Sequence, residues 1–290
     1  MEAGGKDAGP FARVGLAVPA TPLVFSVPHA GRHYPPDLIA ASLLPVEALA
    51  ALEDRHADLL AEGLPALGAT GFVARHARAW IDLNRDEREL DPAMLAAPPR
   101  PGRLVSSAKV RGGLGLIPRR ILGAGDIWSQ RLADADVDAR IAGDHRPWHA
   151  AIAAALHAAR ARFGVALLID LHSMPPLSVG GARIVIGDRH GRSSAPHLVD
   201  RLRTVVEAAG RPVALNLPYA GGHTVERHGR PRAGIHAIQV EIDRSLYLAP
   251  DLRTPGEGLP ATRALVCRMA QAMLHALAEG QPAEAALAAE

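Results

Sequence analysis

Short apolar runs alternate with longer amphipathic stretches along this chain of 290 residues, and that alternation limits the fold more than any other feature. Leu23–Val27, Gly71–Ala74, Ala79–Leu83, Val165–Leu171, Arg183–Gly187, Val213–Leu215 and Ala237–Ile242 read as strands. Val46–Leu67 reads as helical, with a break near Asp54 as the alternative. Ile127–Phe163, interrupted at Pro147, Ser193–Ala209 and Pro260–Glu279 are further helices. Trp148, Ile152, Leu156, Ala159 and Phe163 form one apolar stripe, as a helix lying on a sheet requires. The pattern predicts an α/β fold, a mixed, mostly parallel sheet with helices on both faces. Residues 86–125 are rich in Pro, Gly and Arg and carry little periodicity; a stretch that long is usually functional or mobile. Residues 1–20 read as a flexible leader, 21–280 as a single domain and 281–290 as a fraying tail.

Charge excludes several function classes. Lys and Arg number 32 against 30 Asp and Glu, and aromatic residues make up only 3%, so neither a basic block nor a stacking platform for nucleic acid is present. No apolar run reaches membrane-spanning length, and the first twenty residues lack a signal-peptide core, which predicts a cytoplasmic protein without membrane partners. Lys6 and Lys109 are the only lysines. Arginine therefore supplies nearly all the positive charge, and its planar fork grips carboxylates at two points. Cys267 is the only cysteine, so no intrachain disulfide and no thiolate zinc site can form. Its neighbours Leu265, Val266, Met269 and Met273 give it the pattern of a buried structural thiol.

The chemistry concentrates where apolar runs end. "VFSVPHAG" closes on His29 and "LLIDLHS" on His172; carboxyl ends of strands are where open α/β sheets carry their sites. Asp170 and His172 share a face under the two-residue alternation of a strand. With fourteen histidines, either one can equally be structural, but two in the same setting can converge on a metal. A catalytic zinc takes three protein ligands and leaves one position open. "LEDRHADLL" offers Glu53, Asp54 and Asp58 for a carboxylate; on one continuous helix Asp54 faces away from the packed side, and on a helix restarting there it becomes an N-cap. Glu241, near the end of "AIQVEID", is either salt-bridged in the core or poised for proton transfer. In "RAWIDLNRDE", Asn84 and Arg85 emerge after a strand-like run, where Arg85 can clamp a carboxylate and Arg78 stabilise an oxyanion; the alternative is surface pairing with Asp86 and Glu87. Gly221 and Gly222 suit a mobile loop or an ordinary turn.

In order along the chain, "SVPHAGRHYP", "EDRHAD", "WIDLNRDERELDP", "GGLGLIPR", "RPWHAAI", "LLIDLHSMP", "IVIGDRHGRS", "NLPYAGGHTVERHGRP" and "GIHAIQVEIDRSLYL" resemble the N-formylglutamate amidohydrolase family, from about Pro22 to Tyr247. The resemblance implies a three-layer fold similar to zinc carboxypeptidases and aspartoacylases. It implies a Zn2+-dependent hydrolase that converts N-formyl-L-glutamate to formate and glutamate, the last step of one histidine-degradation route. It further implies His29, Asp54 and His172 as metal ligands, with Glu53 in reserve for Asp54. Glu241 becomes the proton-transferring carboxylate, Arg78 the oxyanion arginine, and Asn84 with Arg85 the binders of a substrate carboxylate. Asp170 becomes the group that orients an imidazole. Carboxypeptidases place a glutamate ligand three residues after the first histidine; here that position is Arg32, which cannot ligate zinc. Two other readings keep the scaffold: a hydrolase of another N-acyl amino acid or peptide amide, and a small-ligand binding protein that has no need of Glu241.

Overall fold

In the computed structural model the described residues are 9–98, 102, 104–178 and 180–279. The outer parts of the predicted leader and tail, residues 1–8 and 281–290, lie outside them. The strands are β1 (Phe11–Val14), β2 (Leu23–Val27), β3 (Thr70–Ala74), β4 (Arg120–Ile121), β5 (Gly125–Asp126), β6 (Ala166–Met174), β7 (Ile184–Gly187), β8 (Val213–Leu215) and β9 (Ile235–Asp243). The α-helices are α1 (Pro36–Ala41), α2 (Val46–Leu49), α3 (Ala57–Ala61), α4 (Ala108–Arg111), α5 (Asp134–Arg140), α6 (Arg146–Phe163), α7 (Pro196–Ala208), α8 (His223–His228) and α9 (Leu259–Glu279). Seven strands form a mixed, mostly parallel sheet in the order β1-β3-β2-β6-β9-β7-β8, flanked by helices; β4 and β5 form a separate hairpin. No helix among the described residues is long and apolar enough to cross a membrane.

Two compact units, each built of three segments, make up the chain. Of the described residues, the first comprises those of 9–12, 28–55 and 72–151; the second comprises those of 13–27, 56–71 and 152–279. Strands β2, β6, β9, β7 and β8 belong wholly to the second. There β6 runs parallel to both β2 and β9, while β7 runs antiparallel to β9 and parallel to β8. Every residue of β6 and β9 is buried, as central strands covered on both faces must be, and this is why both read as near-continuous apolar runs. Helix α9 packs against α7 and α3, with Leu265, Val266, Met269 and Met273 inward. Cys267 is only partly buried rather than a core thiol, and that burial raises its pKa.

In the first unit, Phe11 stands edge-on to Trp148 and Phe72, with ring centroids 5.5 Å and 6.0 Å away. Each such pair contributes about 0.5–1.5 kcal/mol beyond area burial, so the inner part of the predicted leader is an ordered strand. The stretch Ala79–Leu83 is not a strand. The apolar residues Ala77, Ala79, Ile81 and Leu83 alternate along the sequence, which imitates strand periodicity, but Asp82 between them is equally buried, and the backbone turns at Trp80 N–H to Ala77 O and then bonds to Leu116 O through Asp82 N–H.

Candidate active site

In the first unit the predicted residues gather around Asp82, which is fully buried. The chain leaves β2 through Pro28 and places His29 at 3% exposure. An ionised carboxylate only accepts, so His29 donates Nε2–H to Asp82 Oδ1 at 2.7 Å and carries its lone pair on Nδ1. That Nδ1 lies 3.4 Å from Asp54 Oδ2. Asp82 Oδ1 also accepts the Asn84 backbone N–H at 2.9 Å. Arg78 donates Nε–H to Asp82 Oδ2 at 2.8 Å and pairs with it through Nη2, also at 2.8 Å, and Arg85 Nε approaches the same oxygen at 3.7 Å. Burial opposes the charge on Asp82. The guanidinium of Arg78, then His29 and Arg85, outweigh it and hold the carboxyl well below its ordinary range.

The acidic segment resolves differently from either helical alternative. Helix α2 passes into a 3-10 turn, Ala50–Leu52, and the chain then runs extended at Glu53. His56, with φ of 59°, is the residue that starts α3, so Asp54 is neither mid-helix nor an N-cap. Its backbone N–H donates to His29 O at 2.9 Å. Glu53 accepts from the Tyr34 hydroxyl and, at 2.8 Å, from Arg55 Nη1. Burial and that Glu53 contact raise the Tyr34 phenol well above its ordinary pKa.

Arg85 donates Nε–H to Leu114 O at 2.9 Å and Nη1–H to Asn84 O at 2.8 Å. Two of its five N–H groups are thus spent on backbone, and the other three take no acceptor among the described residues. Asn84 and Arg85 are buried at 3% and 8% exposure, which sets aside surface pairing with Asp86 and Glu87: Asp86 pairs with Arg88 and Glu87 with Arg146.

In the second unit the sheet's register builds a polar patch. Ser26 lies opposite Asp170 across β2 and β6, Asp170 opposite Gln239, and His172 opposite Glu241 across β6 and β9. Neighbours in register share a face, so these five residues occupy one face at the carboxyl ends of three parallel strands. Asp170 accepts from Ser26 Oγ at 2.6 Å and from His172 Nε2–H at 2.9 Å, which again leaves the imidazole lone pair on Nδ1. Gln239 donates Nε2–H to Glu241 Oε1 at 2.8 Å and accepts Gly222 N–H at 2.8 Å. Glu241 is thus held by a neutral amide along its own strand.

Asp82 and Gln239 were not readable as site residues. The only signal for Gln239 is its place two residues before Glu241 in an otherwise apolar run. Asp82 sits between Ile81 and Leu83, and its imidazole partner is 53 positions away.

An α/β sheet with carboxylate-backed histidines and a buried glutamate at its strand ends, together with its relatives, defines a hydrolase acting on an amide. His29, Asp54 and His172 are a donor set compatible with a metal ion. Residues 21–248 match the model of the N-formylglutamate amidohydrolase family, and the chain belongs to that family. It is 29% identical over 265 residues to N-formylglutamate deformylase of Pseudomonas aeruginosa, covering 87% of this chain and 92% of that protein. It is 31% identical to N-formylglutamate deformylase of Pseudomonas putida over 78% of this chain and 82% of that protein. A crystal structure of N-formylglutamate amidohydrolase from Ralstonia eutropha JMP134 superimposes with a TM-score of 0.86 at 33% identity, covering 94% of this chain and 99% of the other.

Proposed function

We propose that the protein hydrolyses the N-formyl amide of N-formyl-L-glutamate, with Zn2+ held by His29, Asp54 and His172. One observation carries the metal assignment: each histidine donates Nε2–H to a buried aspartate, Asp82 or Asp170, and so presents Nδ1 as a donor fixed in tautomer and direction. The 3.4 Å between His29 Nδ1 and Asp54 Oδ2 supports the same reading, because two donors about 2.1 Å from a tetrahedral centre lie about 3.4 Å apart. The Tyr34 and Arg55 contacts of Glu53 favour Asp54 as the carboxylate ligand. Strand order supports a shared ion: His29 follows β2 by two residues, at the end where the parallel neighbour β6 carries His172.

When bound, zinc supplies a Lewis acid and a water of lowered pKa. The residues do the rest. Glu241 takes a proton from the attacking water and passes it to the departing nitrogen, so that a C–O bond forms, the C–N bond breaks, and formate and the free amine leave. Arg78, oriented by Asp82, stabilises the oxyanion. Asn84 and the three uncommitted N–H groups of Arg85 hold a substrate carboxylate and fix the angle of attack. This product pair would close a route of histidine degradation in the cytoplasm.

Formate release from N-formyl-L-glutamate, measured beside metal content, tests the assignment. Wild type is expected to release formate and hold stoichiometric zinc, His172→Ala to lose both, and Glu241→Gln to keep zinc while losing at least about 100-fold in kcat. Zinc without formate release would discard the substrate and direct attention to other N-acyl amino acids. Turnover that survives Glu241→Gln would remove Glu241 from the chemistry.

A further inference from the structure

The stretch "RPWHAAI" has no role in the chemistry above, yet it carries His149, and His145 stands just before it. His145 closes a π-helical turn, Ile141–His145, and His149 lies one turn further on in α6. Single π-turns are rare and concentrate at functional sites. Both side chains are buried, at 0% and 1% exposure, and their rings meet at a tilt of 59° with centroids 4.4 Å apart.

Their nitrogens have a common target. His145 Nε2 lies 2.8 Å from Arg85 O, and His149 Nε2 lies 3.0 Å from Leu83 O. A carbonyl only accepts, so both imidazoles are Nε2–H donors. These carbonyls flank Asn84, whose own N–H is taken by Asp82. Three consecutive residues of the DLNR stretch are therefore pinned through their backbone, Asn84 by Asp82 of the stretch itself and Leu83 and Arg85 by His149 and His145 from elsewhere in the same unit.

We propose that His145 and His149 are positioning residues for the substrate carboxylate. By gripping the carbonyls of Leu83 and Arg85, the residues on either side of Asn84, they set the direction in which the Asn84 and Arg85 side chains project. This rests on the reading that Asn84 and Arg85 bind that carboxylate. A binding group displaced by about 1 Å can cost up to about 100-fold, so two hydrogen bonds that touch no substrate still control affinity.

The test is a double-mutant cycle read as kcat and KM for N-formyl-L-glutamate. His149→Leu removes the donor, whereas His149→Gln places an amide N–H where Nε2 was. His149→Leu is expected to raise KM about tenfold with kcat within about threefold and zinc retained, the signature of lost binding common to ground and transition states. His149→Gln is expected to recover most of the loss. In an Asn84→Ala background the His149→Leu penalty should shrink several-fold, because one of the two side chains it acts through is gone and only Arg85 remains. A penalty of equal size in both backgrounds overturns the proposal and leaves His149 a packing residue, as does His149→Gln behaving like His149→Leu. An unchanged KM in Asn84→Ala alone removes the carboxylate reading, and the positioning role with it. Should His149→Leu fail to fold, His149→Asn completes the cycle, since its amide is too short to reach Leu83 O.

Discussion

Asp82→Asn is the substitution from which most can be learned. The wild-type carboxylate has no exposure and faces Arg78 at 2.8 Å, Arg85 at 3.7 Å and His29 at 2.7 Å. At an effective dielectric of about 20, a unit ion pair with centres about 4 Å apart is worth about 4 kcal/mol. The amide oxygen keeps one hydrogen bond, which recovers about 1 kcal/mol. A loss of about 3 kcal/mol in unfolding free energy follows, at the lower end of what breaking a buried pair costs. The same change weakens the hold on His29, for which a 10- to 100-fold loss of zinc affinity is expected. Denaturant unfolding at neutral pH gives the first number, and competition against a chromophoric chelator gives the second. Because the folded pKa lies below the ordinary carboxylate value, the contribution of Asp82 is fully present above about pH 4 and is lost only as pH falls toward its folded pKa. The difference between variant and wild type should therefore be flat from pH 5 to about pH 8. A variant within 0.5 kcal/mol of wild type that binds zinc equally well would refute the reasoning, since both effects pass through this one carboxylate.

Two further outcomes follow from the packing and the titratable groups. At Gly31 an added Cβ would fall 2.0 Å from His76 O, a backbone atom that cannot move without parting the His33 N–H to Arg75 O and Ala77 N–H to His33 O bonds; Gly31→Ala should cost at least about 2–3 kcal/mol by denaturation and lower zinc occupancy at His29 two residues away. His236 accepts Ala195 N–H on Nδ1, and burial, helped by nearby His197, lowers its pKa to about 4. The unfolded chain takes up this proton near pH 6.5 and the folded protein only near pH 4, so stability should be flat above pH 6.5 and fall by about 2–3 kcal/mol between those values. His236→Asn should shrink that slope, and an unchanged slope would assign the acid sensitivity to other groups.

The sheet was legible because its central strands are buried on both faces: β2, β6 and β9 leave continuous apolar runs that few alternatives explain. The strand ends were legible for the same reason, since Asp170, His172 and Glu241 interrupt such runs and must be paired or functional. What could not be read depends on contacts distant in sequence. Ala79–Leu83 obeys strand alternation in its apolar residues, yet it pairs with no strand among the described residues and buries Asp82 as well; its backbone is met by a turn and by Leu116 O. Asp54 fell between two helical alternatives, and the left-handed residue at His56 produced a third. Asp82 looked like one acid in an arginine-rich stretch, because the imidazole that gives it meaning belongs to a segment 53 positions earlier.

The interleaving of the two units has a consequence during synthesis. Strand β2 ends at Val27, but its partner β6 begins only at Ala166. At about 5–20 residues per second, the β6-facing edge of β2 waits roughly ten seconds on the ribosome with its N–H and C=O groups unmatched. Nascent chains of this protein are accordingly most exposed to edge-to-edge association in that interval. A fragment ending near Ala151 would make the exposure permanent: it would hold all three segments of the first unit, together with a strand from the second whose neighbour never arrives.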